Sequence, residues 1–310
     1  MDMVDLLRPL LTYDINRLDN RDPVWFARFF TALEPVLKLY FKPVVRGLER
    51  IPGGGGLYVG NHSGGLMTVD SFILASALWR RYGVEELPLP LTHEIIMRLP
   101  GFNQLLAPLG CVSASHDNAH RILASGHKVL VYPGGDLDTH RPYRDRDEIH
   151  FGPRRGYLRL VLREDVPLIP VVATGSHAMF RVLTDGQWLA HWLALDKLLR
   201  LKVLPVALCL PYGVMIGTWP YIPAPTRIFI QVMEPIEFSR YGPAAAQDEA
   251  YVEECHIRVL AVMEAQLRRL SAEREAAGWR DIPAEPRLET PPIPHDMPQP
   301  ELEELTAAAA

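Results

Sequence analysis

Cysteine is scarce in this 310-residue chain, and Cys111, Cys209 and Cys255 are the full set. An odd count at wide spacing argues against a disulfide framework and a zinc cluster. It reads instead as a reduced, cytosolic-type protein with incidental thiols. Charge of one sign is also lacking. The net charge is −5, so there is no overall basic field for nucleic acid. Seven acidic residues against the single Arg287 after position 280 carry most of that charge, and residues 1–280 are close to neutral. The first residues, Met1 to Asp5, have no basic region of the kind that opens a secretory signal. The Gly-x-Ser-x-Gly elbow is absent, which removes the common serine-hydrolase route. No internal repeat occurs.

A long, uninterrupted apolar helix is missing as well. Residues 24–42, VWFARFFTALEPVLKLYFK, are broken by Arg28, Glu34, Pro35 and Lys38 and read as an amphipathic helix. Residues 203–226 carry no charge, yet five prolines (Pro205, Pro211, Pro220, Pro223, Pro225) exclude one continuous helix. That stretch reads as an apolar, loop-rich surface. Both segments fit core packing or shallow contact with a membrane interface, with Trp25, Tyr40, Trp219 and Tyr221 at headgroup depth.

Short apolar, β-branched runs recur at Leu57–Gly60, Leu87–Thr92, Lys128–Tyr132, Pro167–Thr174 and Arg227–Met233. Helical spacing lies between them, at Ser71–Tyr82, Asn118–Ser125, Gly156–Glu164 and Gln187–Arg200, and a long helix runs from about Gln247 to Ala277. Strands alternating with helices predict an α/β fold with a mostly parallel central sheet flanked by helices and an N-terminal amphipathic helical element. The expected organisation is an N-terminal, membrane-proximal helical element over residues 1–48, a main domain over 49–280 and a Pro-rich, acidic, disordered tail over 281–310.

Several constellations carry chemistry. Asn61-His62-Ser63-Gly64-Gly65 follows the first strand, and Asp70 opens the next helix. A neutral imidazole takes a proton from a hydroxyl near pH 7, and a carboxylate on its other nitrogen fixes its tautomer. The same residues also suit a loop histidine and a helix cap. Pro133-Gly134-Gly135-Asp136 ends a buried strand as an anion nest or simply a tight turn. The basic stretch containing Arg141, Arg154 and Arg155 is either a phosphate clamp or a solvated loop. His62, Asp70, His116, Asp117, His120, Asp136, Asp138 and His140 are potential metal ligands, but their spacing matches no standard metal pattern, so no metal is expected. The other histidines, including His177 and His256, read as packing or surface residues.

The order of these blocks resembles the glycerolipid acyltransferase superfamily, the lysophospholipid acyltransferase-like group. Asn-His…Asp is followed by Gly110 with Val112-Ser113-Ala114-Ser115, then Tyr132-Pro-Gly-Gly, then Arg155-Gly156, then Val-Pro-Leu-Ile-Pro-Val. The Gly-Gly after His62 and the Pro-Gly-Gly look most like the monoacylglycerol/diacylglycerol acyltransferase-like branch. The resemblance spans about residues 45–240. It implies an O-acyltransferase with His62 as general base, oriented by Asp70. A lipid hydroxyl is then acylated from a thioester of coenzyme A or an acyl carrier protein, with no bound cofactor. It further implies that Asn61, Ser63, Gly64, Gly65, Gly110, His116, Pro133, Gly134, Gly135, Asp136, Arg141, Arg154 and Arg155 bind substrate. A place on the inner face of a membrane, cytoplasmic and peripheral, goes with it.

Three features depart from the family pattern. Seven residues separate His62 from Asp70 where four are usual, so a loop must bring them together. His116 stands where the second block has arginine. Gly135-Asp136-Leu137-Asp138 replaces the Glu-Gly-Thr-Arg associated with an acceptor phosphate. The last two favour a neutral acceptor: a mono- or diacylglycerol or a long-chain alcohol. A thioesterase or lipid hydrolase, or a non-catalytic lipid-binding protein, are the competing readings.

Overall fold

The computed structural model describes residues 12–62, 64–65, 67–193, 204–218 and 220–279. Ser63, Trp219, the expected helix beyond residue 193 and the 281–310 tail lie outside them. Seven strands form the main sheet: β1 (Val44–Arg46), β2 (Gly56–Gly60), β3 (Leu89–Thr92), β4 (Val112–Ser113), β5 (Lys128–Val131), β6 (Leu168–Thr174) and β10 (Phe229–Val232). Three more, β7 (Arg181–Thr184), β8 (Val206–Cys209) and β9 (Gly213–Ile216), form a small antiparallel sheet. The order in the main sheet is β1-β10-β6-β2-β5-β3-β4. Strands β6, β2, β5, β3 and β4 run parallel, and only β10 and its parallel neighbour β1 run the other way. The sheet is therefore mostly parallel.

Alternation within the strands loads both faces. On β2, Leu57 and Val59 point to one cluster and Tyr58 to the other. The first cluster receives α3 (His116–Ala124), α4 (Gly156–Glu164) and the long α5 (Glu249–Ala277). The second receives α1 (Pro23–Phe41) and α2 (Val69–Tyr82). Covering both faces explains why these strands read as continuous apolar runs. Helix α1 starts where the Asp22 carboxylate accepts from the Val24 and Trp25 N–H groups, with Pro23 at its first position. Its Phe26, Phe30, Leu37 and Phe41 are buried in the core, while Leu39 on the opposite side is 82% exposed. No described helix is long and apolar enough to cross a membrane.

The uncharged stretch 203–226 is more ordered than its prolines suggest, because it contains β8 and β9. One face of this hairpin packs Ala207 and Cys209 against Phe180, Val182 and Tyr221. The other face exposes Leu183, Leu208, Val214 and Ile216, the last two at 62% and 63%. Tyr221, expected at the surface, is buried. Its hydroxyl donates to the Gly64 carbonyl at 2.5 Å and accepts from the Met67 N–H at 3.2 Å, so it props the turn after His62 rather than facing outward.

Candidate active site

The carboxyl ends of β6, β2 and β5 lie side by side, the usual place for a site in a parallel sheet. Each delivers polar residues. Strand β2 delivers Gly60-Asn61-His62, β5 leads to Tyr132-Pro133-Gly134-Gly135, and β6 leads to Gly175-Ser176-His177.

Asn61 ties two of these ends together. Its amide donates to the Ala173 carbonyl at 2.9 Å and accepts from the Ala173 N–H at 2.8 Å. It acts as one more rung of the ladder. The His62 ring then lies flat on Tyr132, with centroids 4.4 Å apart. Gly60 permits this, since a Cβ there would sit 2.5 Å from Tyr132 Cε1. The Tyr132 hydroxyl reaches Ser71 Oγ at 2.6 Å.

A buried ion pair holds the backbone of His62. Asp138, in the short helix Gly135–Thr139, accepts from the His62 N–H through Oδ2 at 2.5 Å and from the His150 N–H through Oδ1 at 2.9 Å. Asp138 Oδ1 also pairs with Arg141 Nη1, and both side chains are fully buried. Arg141 donates in turn to the His62 carbonyl at 3.1 Å and to the Asp138, Asp145 and Arg146 carbonyls. A pair buried this deeply persists because each guanidinium nitrogen and each carboxylate oxygen has a hydrogen-bond partner.

Three imidazoles meet here. Burial, with His140 and Arg141 nearby, pulls His62 down to about 3, so it is neutral at physiological pH. His62 Nδ1 is buried with no hydrogen-bond partner among the described residues. His140 uses Nδ1 on the Asp136 carbonyl at 3.1 Å, which leaves Nε2 as a bare acceptor, also buried and unpartnered. His177 has both nitrogens buried and unpartnered, and burial holds it well below the usual imidazole range. Unmet buried polar atoms cost about 1–3 kcal/mol each, and such atoms collected in one place mark where a substrate hydroxyl or carbonyl belongs.

Asp70 is buried at the start of α2. Its carboxylate accepts from the Ser71 N–H at 2.8 Å and lies 3.5 Å from Ser176 Oγ. No hydrogen bond joins Asp70 to His62 among the described residues. Gly64 and Gly65 make the loop that joins them. Gly64 has φ +85°, and a Cβ on it would meet Met179 Cε at 2.6 Å and the Ser176 carbonyl oxygen at 2.7 Å.

The other expected residues sit as follows. Gly135 spends its N–H on the Tyr132 carbonyl at 3.1 Å. Arg154 donates to the Pro133 and Gly134 carbonyls and pairs with Asp136 at 2.6 Å. The Pro-Gly-Gly turn therefore offers carbonyls to a guanidinium. Arg155 makes a two-pronged pair with Glu253 of α5 at 2.6 and 3.0 Å. The fold thus supplies a carboxylate partner to each of Arg154 and Arg155. Gly110 and His116 bracket β4, three strands from β2. Gly110 packs on Arg21, and the His116 ring packs on Gly156 at the start of α4. No group of three or more His, Cys, Asp or Glu side chains is placed to hold a metal ion among the described residues.

From the sequence, Asp138 and His140 stand out only as potential metal ligands, Tyr132 only within the Tyr-Pro-Gly-Gly block, and His177 only as a packing or surface residue. One signal was there: β2 and its neighbour β6 end alike, in Gly-Asn-His and Gly-Ser-His.

The family model for the acyltransferase family matches residues 42–174, which run from the end of α1 to the end of β6. That interval holds His62, Asp70, Tyr132, Asp138 and Arg141. Over that interval, a little under half of the chain, the sequence is similar to the acyltransferase family. An uncharacterized protein of Mycobacterium tuberculosis is 28% identical over 247 residues, covering 78% of this chain and 66% of that one. The mouse "DGAT1/2-independent enzyme synthesizing storage lipids" is 27% identical over 152 residues, 48% of this chain and 44% of its own. The chain thus spans just under two thirds of the first relative and less than half of the second. The crystal structure of the 1-acyl-sn-glycerophosphate acyltransferase PlsC from Thermotoga maritima is similar with a TM-score of 0.49 at 18% identity, covering 86% of this chain and 80% of that one. The histidine block and the Pro-Gly-Gly block stand at the ends of neighbouring strands, β2 and β5.

Proposed function

We propose that this chain moves a fatty acyl group from a thioester to the hydroxyl of a neutral lipid, with His62 as general base. The observation that carries this reading is the neutral, buried His62 imidazole with a free nitrogen, held by its backbone at the carboxyl edge of the sheet. One ring nitrogen takes the hydroxyl proton as the oxygen attacks the thioester carbonyl. A C–O bond forms, the C–S bond breaks, and the imidazolium returns the proton to the departing thiolate. Asp70 is the carboxylate that takes up Nδ1 as the charge develops, and its approach lifts the imidazole toward neutral pH, where a base works best. No covalent acyl-enzyme is needed, because a thiol is a good leaving group.

Cation placement supports a neutral acceptor. Arg141 and Arg154, whose side chains reach the His62 and Pro-Gly-Gly blocks, are spent on Asp138, Asp136 and backbone carbonyls. The relative from mouse is named as an enzyme synthesizing storage lipids, which fits a glyceride acceptor. The exposed outer face of β7–β9 and the outer side of α1, with Leu39 and Trp25, suit contact with the lipid surface where such an acceptor resides.

The test is acyl transfer from a long-chain acyl-CoA to a panel of monoacylglycerol, diacylglycerol, fatty alcohol, lysophosphatidate and glycerol 3-phosphate. The expected result is ester product with the first three acceptors. Product only with the phosphorylated acceptors contradicts the neutral-acceptor reading. Thiol release without any acceptor makes the protein a thioesterase.

A further inference from the structure

An open cleft of about 520 Å³ lies beside the histidine cluster, and the function above does not use it. Its basic wall carries Arg181, Arg227 and Arg274, and its only carboxylate among the described lining residues is Glu275. Glu275 is already engaged by Arg146 at 3.2 Å. Arg227 donates to the Gly278 carbonyl at 3.0 Å and lies over Phe229. Arg181 rests on the Tyr143 ring, 5.2 Å from its centroid, and neither Arg181 nor Arg274 has an ion-pair partner among the described residues. Arg274 Nε is buried with no hydrogen-bond partner. The cleft is therefore a concave surface with surplus positive charge. Its remaining walls are Leu208 and Leu210 on one side and Trp279, 53% exposed, on the other.

Topology fixes its distance from the site. Strand β10 is antiparallel to β6 with Phe229 opposite Thr174, so Arg227 stands at the same edge of the sheet as His62. From β10 to β2 is two strand spacings, about 10 Å. Ala178, next to His177, forms part of the wall between them.

We propose that this cleft holds the phosphates of the donor's carrier, the part of an acyl thioester that stays behind when the acyl group leaves. The proposal rests on the thioester reading given above. A phosphorylated acceptor would carry its phosphate a few bonds from the attacking hydroxyl and would need a free cation beside His62. A carrier such as coenzyme A carries its phosphates at the far end of a flexible arm from the thioester. Arg227, which leads into a strand about 10 Å from that of the base, matches the second arrangement. Trp279 at the rim offers a flat apolar face for a nucleobase, and the leucine wall suits the arm.

The test is equilibrium binding of free, non-acylated coenzyme A to wild type, to His62→Ala and to an Arg181→Gln/Arg274→Gln double variant. Wild type and His62→Ala bind alike, and the double variant binds at least about tenfold more weakly, since two charge-assisted contacts are lost. In turnover, KM for acyl-CoA rises by a similar factor, while kcat and KM for the acceptor stay within about twofold. Transfer from a phosphate-free acyl-N-acetylcysteamine thioester is the same in wild type and double variant. Unchanged coenzyme A affinity overturns the proposal. So does an equal loss with the phosphate-free donor, which reports general damage. A loss seen instead in binding to phosphatidylglycerol vesicles over phosphatidylcholine, or in KM for lysophosphatidate, assigns the arginines to a lipid phosphate and overturns it too. If His62→Ala keeps transferring acyl groups, the general-base reading fails, while the coenzyme A result still decides the cleft.

Discussion

Asp138 Oδ2 accepts a hydrogen bond from the backbone N–H of His62 at 2.5 Å. The contact spans 76 positions in the sequence and joins the end of β2 to the helix after β5. Arg141, paired with Asp138, takes the His62 carbonyl at 3.1 Å. Both polar groups of one peptide residue are thus gripped by one buried ion pair. The carbons of His62 cannot drift while its ring stays free to receive a proton.

Asp138→Ala removes that grip and leaves the Arg141 guanidinium buried without its counter-charge. The expected cost is about 3–5 kcal/mol of stability, read as a clear drop in the thermal midpoint. Asp138→Asn keeps an acceptor oxygen for the His62 N–H, so it is the variant for kinetics. It lowers kcat and leaves both KM values nearly unchanged, because Asp138 touches the base and not the substrates. A KM rise with unchanged kcat contradicts the positioning role.

Gly60→Ala places a methyl group 2.5 Å from Tyr132 Cε1. Tyr132 must shift, and the surface on which His62 is stacked shifts with it. Activity falls by about tenfold or more while the loss of stability stays near the 1–3 kcal/mol of an overpacked core. Full activity in a folded Gly60→Ala protein shows that the stack is dispensable.

Acid weakens the fold through its buried histidines. Burial lowers His62 to about 3 and His256 to about 4, and it lowers His140 and His177 as well. The unfolded chain takes up protons at about 6.5. Below that pH it binds protons that the folded protein refuses, so stability present above about 6.5 is lost as pH falls toward 4 and 3. Each histidine contributes up to about 1.4 kcal/mol per pH unit in that window. Thermal midpoints measured from pH 8 to pH 5 stay level at first and then fall. A midpoint that rises on acidification contradicts the neutral, buried state of these rings.

Val214→Glu and Ile216→Glu alter only exposed side chains on the outer face of β9. The expected outcome is weaker co-sedimentation with lipid vesicles at an unchanged thermal midpoint. Unchanged vesicle binding by the double variant removes that face from the membrane contact.

Much of this was legible in the sequence because local pattern and tertiary structure agree. Gly156–Glu164 is a helix at the expected residues, and the buried runs at Leu57, Lys128 and Leu168 are the parallel strands that carry the site. His62 stood out as a histidine beyond a strand end, and the Asn-His and Pro-Gly-Gly blocks do meet in space. What the sequence hid depends on long-range partners. Arg154 and Arg155 looked free because Asp136 and Glu253 reach them only after folding. Arg141 looked like a surface cation, yet it is 1% exposed, since Asp138 lies one helical turn before it and the loops of residues 145–150 close over it. The cleft arginines come from β7, the segment just before β10 and the end of α5, and no local spacing connects them. His177 was read as packing, although its setting after β6 repeats that of His62 after β2.

The measurement that bears most directly on the account is the rate of acyl transfer from acyl-CoA to a monoacylglycerol by wild type and by His62→Ala, both verified as folded. The account predicts acceptor-dependent ester in wild type and a fall of about 10²–10⁴-fold in the variant, the usual worth of a general base. Ester formation at an undiminished rate by His62→Ala would contradict it.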